Sequence, residues 1–305
     1  MSSELTRRVV FGVVAAPIVV GILVIGDAAL AGLLAIAGAL GASEFYRIAR
    51  ASGSNPLDNA GIIIAGLTPL VVHARYLRLY NPDGVVGPLS LAALVIVLLF
   101  TAAIWARGVE GKPLGAVATT ALGAVYTGGL LSFGYAIRYH DYAFAPAALP
   151  IAGKTISVPS GALLVLLPVL LAWASDIGAF VVGRAIGRHK LIPSVSPGKT
   201  VEGAIGGLAA CMLLAWAYAQ FFLRPTTQLN FRWAPLGALA FGALASVAAQ
   251  VGDLVESLLK REAGVKDSSH LIPGHGGVLD RLDSLFFVLP VSYVALSLML
   301  TWAPA

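Results

Sequence analysis

The chain has 305 residues, 58% of them hydrophobic and 11% charged, with a mean hydropathy of +0.87. A soluble domain carries about 25% charged residues, so this composition excludes a soluble globular protein and points to a polytopic membrane protein. The single cysteine, Cys211, excludes an internal disulfide or a cysteine metal cluster, and the balance of 20 Lys and Arg against 15 Asp and Glu suits a protein that handles anions.

Hydropathy predicts nine spans in an all-α helical bundle. They run at about Val9–Ile25, Ala28–Ile48, Ala60–Leu77, Leu89–Ala106, Leu114–Ile137, Ser160–Val182, Ala204–Leu223, Ala234–Leu259 and Leu282–Trp302. Arg7 and Arg8 precede the first run as in a signal peptide, but no small-residue cleavage site follows, so the first span is read as retained. The first two spans are joined by a tight turn near Asp27. Small residues are scattered through the spans, where they let backbones approach closely and permit a homodimer. Gly183 with Gly187, and Gly203 with Gly207, have the small-xxx-small spacing of packed helices. Residues 139–159 and 224–233 read as solvated or interfacial loops.

With nine alternating spans, most Lys and Arg fall on the side of the N-terminus and of the loops after spans two, four, six and eight. The positive-inside rule makes that side cytoplasmic. Part of this bias comes from the loops after spans six and eight, which are also the most polar stretches of the chain.

The sixth span leads into the first of these. Asp176 lies roughly 24 Å into the span at the helical rise, where a charged side chain is a functional candidate by default. Trp173 reads as an interfacial aromatic. The following loop, Gly187 to Gly203, offers Arg188, His189, Lys190, Ser194, Ser196, Lys199 and Thr200. Ser196-Pro197-Gly198-Lys199-Thr200 resembles the tail of a phosphate-binding loop but is not a Walker A motif, because Pro193 stands where that motif needs glycine. A helix begins just after it, with its positive end toward the loop and Thr200 placed to cap it.

The eighth span brings Asp253 and Glu256 to its inner end, one turn apart. The stretch from Ser257 to Asp283 then packs Lys260, Arg261, Glu262, Lys266, Asp267, His270, His275, Asp280, Arg281 and Asp283 around a Pro273–Gly277 turn. The spacing puts Asp280 and Asp283 on one face at the start of the ninth span. Three inner helix ends thus carry Asp176, Asp253, Asp280 and Asp283 to one membrane face. Clustered carboxylates with basic neighbours suit Mg²⁺ and phosphate oxygens. Intramembrane acids also fit an ion-coupled transporter, although they gather here at one face and no inverted repeat is visible.

These residues resemble phosphatidate cytidylyltransferase, the CDP-diacylglycerol synthase family. Ser257, Lys260, Arg261, Lys266, Asp267, Ser269, Pro273, His275, Gly276, Gly277, Asp280, Arg281 and Asp283 fall on that family's C-terminal signature. Asp176, Gly178, Gly183, Arg184, Gly187, Ser196, Pro197, Lys199, Thr200, Glu202, Gly203 and Gly252-Asp253-Leu254 match its upstream pattern. Residues 1–150 resemble the family only in being apolar, so they are read as a scaffold and 151–305 as the catalytic membrane domain. The resemblance implies a multi-pass enzyme of the cell membrane, with its site loops cytoplasmic. It would transfer CMP from CTP to phosphatidic acid, giving CDP-diacylglycerol and pyrophosphate; no nucleic acid is implied. Mg²⁺ would lie on Asp253 and Asp280, with Asp283 and Asp176 as nearer or more distant ligands, and a second cation such as K⁺ beside it is left open. Lys199, Lys260, Arg261, Lys266 and Arg281 would bind the phosphates. Arg184, Ser196, Thr200, Glu202, Ser257, His275, Gly276 and Gly277 would complete the substrate contacts, and Asp267 and His275 would join the catalytic set.

Overall fold

Helix dominates a computed structural model that describes residues 3–80, 87–144, 146–151, 154–271 and 276–302. The helices, in chain order, are α1 (Ser3–Ile25), α2 (Asp27–Ala51), α3 (Asp58–Tyr76), α4 (Pro88–Ala106), α5 (Pro113–Ala124), α6 (Leu130–Arg138), α7 (Ser160–Ile186), α8 (Val201–Tyr218), α9 (Arg224–Thr226), α10 (Leu236–Glu262) and α11 (Leu279–Met299). Five-residue π-helical turns, Val125–Gly129 and Ala219–Leu223, join α5 to α6 and α8 to α9, so each of these pairs is one continuous rod. The break between α1 and α2 falls at Gly26 and Asp27, both with positive φ, at 69° and 48°.

Among the described residues, seven helices are long and apolar enough to cross a membrane. All nine expected spans coincide with helices. The two expected spans outside that set are α1, with the apolar segment Val13–Ile25 among its described side chains, and α3, where 19 residues carry Asp58, His73 and Arg75. One correction concerns the expected loops. Pro146–Ile151 (β1) and Lys154–Pro159 (β2) pair antiparallel. Lys190–Ile192 (β3) pairs with Ser196–Thr200 (β4), and Leu229–Phe231 (β5) with Leu300–Trp302 (β6).

The chain forms two compact units, each assembled from separated segments. The first comprises Met1–Ala16, Asp27–Tyr135 and Leu259–Leu282; the second comprises Pro17–Gly26, Ala136–Leu258 and Asp283–Ala305. In the first, α2, α3 and α5 pack around buried Tyr46, whose hydroxyl donates to the Thr120 carbonyl at 2.6 Å. Close approach needs glycine there: a Cβ on Gly61 would stand 2.0 Å from the Tyr46 hydroxyl. In the second unit, α7 and α8 pack along a seam of small residues. A Cβ on Gly178 would stand 2.8 Å from the Gly206 carbonyl, and one on Gly207 2.8 Å from the Ser175 carbonyl. Arg138 tightens this unit by donating to the carbonyls of Leu23 and Val24, both at 2.9 Å, at the C-terminal end of α1.

Candidate active site

The α7–α8 seam ends in a cavity of about 410 Å³ in the second unit. Its wall is built by five elements, Leu191 of β3 among them. Asp176, Phe180 and Arg184 come from α7, Lys199 and Thr200 from β4, Gly203 and Ala204 from α8, and Gln250 and Asp253 from α10. The β3–β4 hairpin exists because Lys190 pairs with Thr200 and Ile192 with Ser196, and because the Lys190 ammonium donates to the Pro197 carbonyl at 2.8 Å. Thr200 ends the hairpin and caps α8, its Oγ1 accepting from the Gly203 N–H at 3.1 Å. The first-turn N–H groups of α8 therefore open beside Lys199, an arrangement that favours anions.

Charge inside the cavity is paired. The Lys199 ammonium lies 2.6 Å from Asp253 Oδ2, with both side chains about a quarter exposed. Asp253 Oδ1 accepts from Ser257 Oγ one turn further along α10, at 3.4 Å. The Arg184 guanidinium stands 5.9 Å from the centre of the Phe180 ring. Gln250, one turn before Asp253, donates its amide to the Ala204 carbonyl at 3.1 Å and to Ser246 Oγ at 3.0 Å. Its remaining polar atom is a carbonyl acceptor. Gly252 lets α11 approach α10 here: a Cβ would stand 2.6 Å from the Asp283 carbonyl. Asp283 Oδ1 accepts from the adjacent Ser284 N–H at 2.6 Å.

The first unit holds the rest of the polar stretch, organised around Asp280 in the first turn of α11. Its Oδ1 takes the Lys260 ammonium at 2.7 Å, with both side chains largely buried. Its Oδ2 accepts from the Ser268 N–H at 2.9 Å, Ser268 Oγ at 2.8 Å and the Gly277 N–H at 2.8 Å. Gly276 has φ of 81°, and a Cβ there would stand 2.7 Å from Asp280 Oδ2, so the turn needs glycine on two counts.

The expected site residues therefore divide. Asp176, Arg184, Lys199, Thr200 and Asp253 line the cavity, with Ser257 on Asp253. Lys260, Gly277 and Asp280 form the second cluster. Glu202 instead clasps the hairpin, accepting from the Arg188 N–H at 3.0 Å and from His189 Nδ1 at 2.6 Å. Ser196 sits in β4 opposite Ile192, away from the cavity wall. Arg261, Lys266, Asp267 and Arg281 are exposed. His275 and Pro273 lie outside the described residues.

Among the described residues, no three His, Cys, Asp or Glu side chains gather closely enough to hold a metal ion by themselves. Mg²⁺ does not require such a cage; it takes one or two carboxylates and completes its shell with substrate phosphates and water. Asp253, held by the Lys199 ammonium in the second unit, is a carboxylate of that kind, and so is Asp280, held by the Lys260 ammonium in the first.

Two residues with a part in these clusters belong to no motif in the sequence. Gln250 lies three residues before Asp253 in an otherwise apolar span. Glu44 on α2 reaches the second cluster from far away in the chain: it accepts from Ser268 Oγ and Ser269 Oγ.

A family model described as the cytidylyltransferase family matches residues 6–299. The chain belongs to the cytidylyltransferase family. Among similar proteins, a phosphatidate cytidylyltransferase of Synechocystis is 32% identical over 311 residues, covering 97% of each chain. One of Bacillus subtilis is 29% identical over 295 residues, covering 97% of this chain and 98% of its own. One of Haemophilus influenzae reaches 50% identity over 131 residues, 43% of this chain and 44% of its own. Membership places the chain among enzymes that transfer a cytidylyl group. The long apolar helices make it a multi-pass membrane member of that family.

Proposed function

We propose that the chain transfers CMP from CTP to phosphatidic acid, giving CDP-diacylglycerol and pyrophosphate, at the cytoplasmic face of the membrane and with Mg²⁺. The observation that carries this reading is the α7–β4–α10 cavity, where Lys199, Arg184 and the capped end of α8 meet Asp253 at a helix seam. The names of full-length relatives supply the substrates.

The chemistry asks little of a base. A phosphate monoester has a second pKa of about 6, so the phosphatidate oxygen is already largely ionised at neutral pH. That oxygen forms a bond to the α-phosphorus of CTP while the bond to pyrophosphate breaks. The burden falls on alignment and on neutralising charge at the transferred phosphoryl group. Lys199 and Arg184 bring cationic donors to phosphate oxygens in the second unit, and Lys260 does so in the first. Asp253 holds Lys199 in place in the second unit and Asp280 holds Lys260 in the first; each is a carboxylate that would hold Mg²⁺, with Asp283 and Asp176 as nearer or more distant ligands. When bound, Mg²⁺ neutralises phosphate charge as a Lewis acid. The two substrates come from different phases, CTP from the cytosol and phosphatidate from the bilayer. A site at the inner ends of the spans is open to both.

The test is pyrophosphate release by purified protein in detergent, given CTP, phosphatidate and Mg²⁺. Release should require all three and should stop on chelation with EDTA. Asp253→Asn should lower turnover on the order of a hundredfold, the scale for losing one preorganised charge in a site. No release from wild-type protein, beside an active control enzyme, would overturn the reading.

A further inference from the structure

We infer that Glu44 is a positioning residue for the signature loop, acting on the reaction through Ser268 and Asp280. Glu44 belongs to α2, in the part of the chain that carries no motif, and only 4% of it is exposed. Its carboxylate collects four donors, all from the distant polar stretch. Oε1 accepts from Ser269 Oγ at 2.6 Å and from the Val278 N–H at 3.1 Å. Oε2 accepts from Ser268 Oγ at 2.9 Å and from the Leu279 N–H at 2.8 Å. Two of these partners precede the Gly276–Gly277 turn and two follow it, so one side chain grips the stretch on both sides.

The grip reaches Asp280 by one atom. Ser268 Oγ lies 2.9 Å from Glu44 Oε2 and 2.8 Å from Asp280 Oδ2. A hydroxyl has a single proton to give, so the two carboxylates compete for it. The Val278 and Leu279 N–H groups lead directly into the first turn of α11, where Asp280 sits, so Glu44 also fixes the entry of that helix. Gly277 shows how tightly the assembly closes: a Cβ would stand 2.1 Å from Ser268 Oγ and 2.3 Å from Glu44 Oε2. A buried acid is a costly way to fill space, because well-packed apolar residues of similar volume serve stability as well or better. Four convergent donors on one carboxylate instead fix an orientation, as partners one step removed from a reacting group do.

This inference rests on the proposed reaction, with Asp280 as a participating group. It is tested by pyrophosphate release from Glu44→Gln, Glu44→Asp and Ser268→Ala, each purified in detergent and compared with wild type for unfolding temperature and for tryptic cleavage at the exposed Arg261 and Lys266. Glu44→Gln keeps size and shape but turns one acceptor oxygen into a donor facing donors. The expected result is a fall in kcat of about 10–100-fold, with the KM for phosphatidate within about twofold of wild type and faster cleavage at Lys266. Glu44→Asp should recover part of the loss. The Glu44→Gln and Ser268→Ala double variant should be no worse than the more damaging single change, since both break one chain of contacts. A Glu44→Gln enzyme with kcat within about twofold of wild type overturns the inference, and so does a loss fully matched by loss of folded protein in Glu44→Asp and Ser268→Ala. Inactive wild-type protein would instead sink the reaction, and the cleavage rates would then still report whether Glu44 holds the loop.

Discussion

At the residue scale, a few polar side chains inside apolar helices make the contacts that organise the cavity and the loop. Asp176 and Asp253 stood out in the sequence because a charge within a span is expensive. The same signal was present for Glu44, the single acid between Ala28 and Ile48, and for Gln250 in the eighth span. Both were masked by the denser motifs downstream. What the sequence did not reveal was partnership. Glu44 meets residues more than 200 positions away, and no spacing rule encodes that. Glu202 shows the converse: the motif marked it, yet its carboxylate serves the backbone of the hairpin and not the cavity. His140 illustrates a residue that reports on folding alone. Its Nε2 lies 2.7 Å from Ser297 Oγ, and its ring stacks on Tyr142. Burial pushes its pKa below the ordinary value of 6.5, against a smaller upward pull from Asp141. The folded chain therefore binds this proton less readily than the unfolded chain. The stability it contributes is full above pH 6.5 and is lost as pH falls toward the depressed value. Unfolding temperature in detergent should drop between about pH 7.5 and about pH 5.5, and His140→Asn should make that drop shallower. An unchanged slope in the variant would assign the acid sensitivity to other groups.

At the element scale, long helices were legible and short strands were not. Twenty or so apolar residues in a row announce a helix, and the ends of α7, α8, α10 and α11 fall within a few residues of expectation. The β3–β4 hairpin carries no alternation that would mark it; it is set by Glu202 and Lys190 binding backbone groups. The strands β5 and β6 lie far apart in the chain and pair only because the fold brings them together. The glycine seam was anticipated from spacing, and its physical content is now specific. In lipid, helices associate through close packing and not through hydrophobic exclusion, so a side chain wedged into the α7–α8 seam should act directly on the cavity at its end. Gly207→Val places atoms against the Ser175 carbonyl, and overpacking of this kind costs about 1–3 kcal/mol. Gly115→Ala, on α5 with nothing within 4 Å of its added methyl, should be neutral or stabilising by about 0.5–1 kcal/mol. The pair is read by unfolding temperature. Equal temperatures for the two variants would show that the seam tolerates expansion.

At the scale of the whole molecule, a boundary near residue 150 followed the limit of motif similarity, whereas the compact units interleave. Leu259–Leu282, the heart of the signature, belongs to the first unit together with α2 and α3. An apolar segment without motifs can thus supply a buried acid to the most motif-rich loop, which local similarity does not report. Orientation is the other property of the whole chain, and basic residues argue for it only in part, since Arg184 and Lys199 line the cavity. The helix α8 offers a direct measurement. Ser194 precedes it in the hairpin and Gln228 follows it beyond the π-helical turn, both exposed. If α8 crosses the membrane with its capped end inward, the two lie on opposite sides. Cys211 is buried, with its thiol donating to the Leu171 carbonyl at 3.1 Å, and Cys211→Ala removes the one competing thiol at the cost of a small change in core volume. In that background, Gln228→Cys should react with a membrane-impermeant maleimide in intact cells. Ser194→Cys should react only after the membrane is opened, and CTP with Mg²⁺ should slow its labelling because Ser194 sits in the hairpin that carries Lys199. The reverse pattern would put the site on the outer face, away from cytosolic nucleotide, and would rule out the proposed reaction in the cell whatever the purified protein does in detergent.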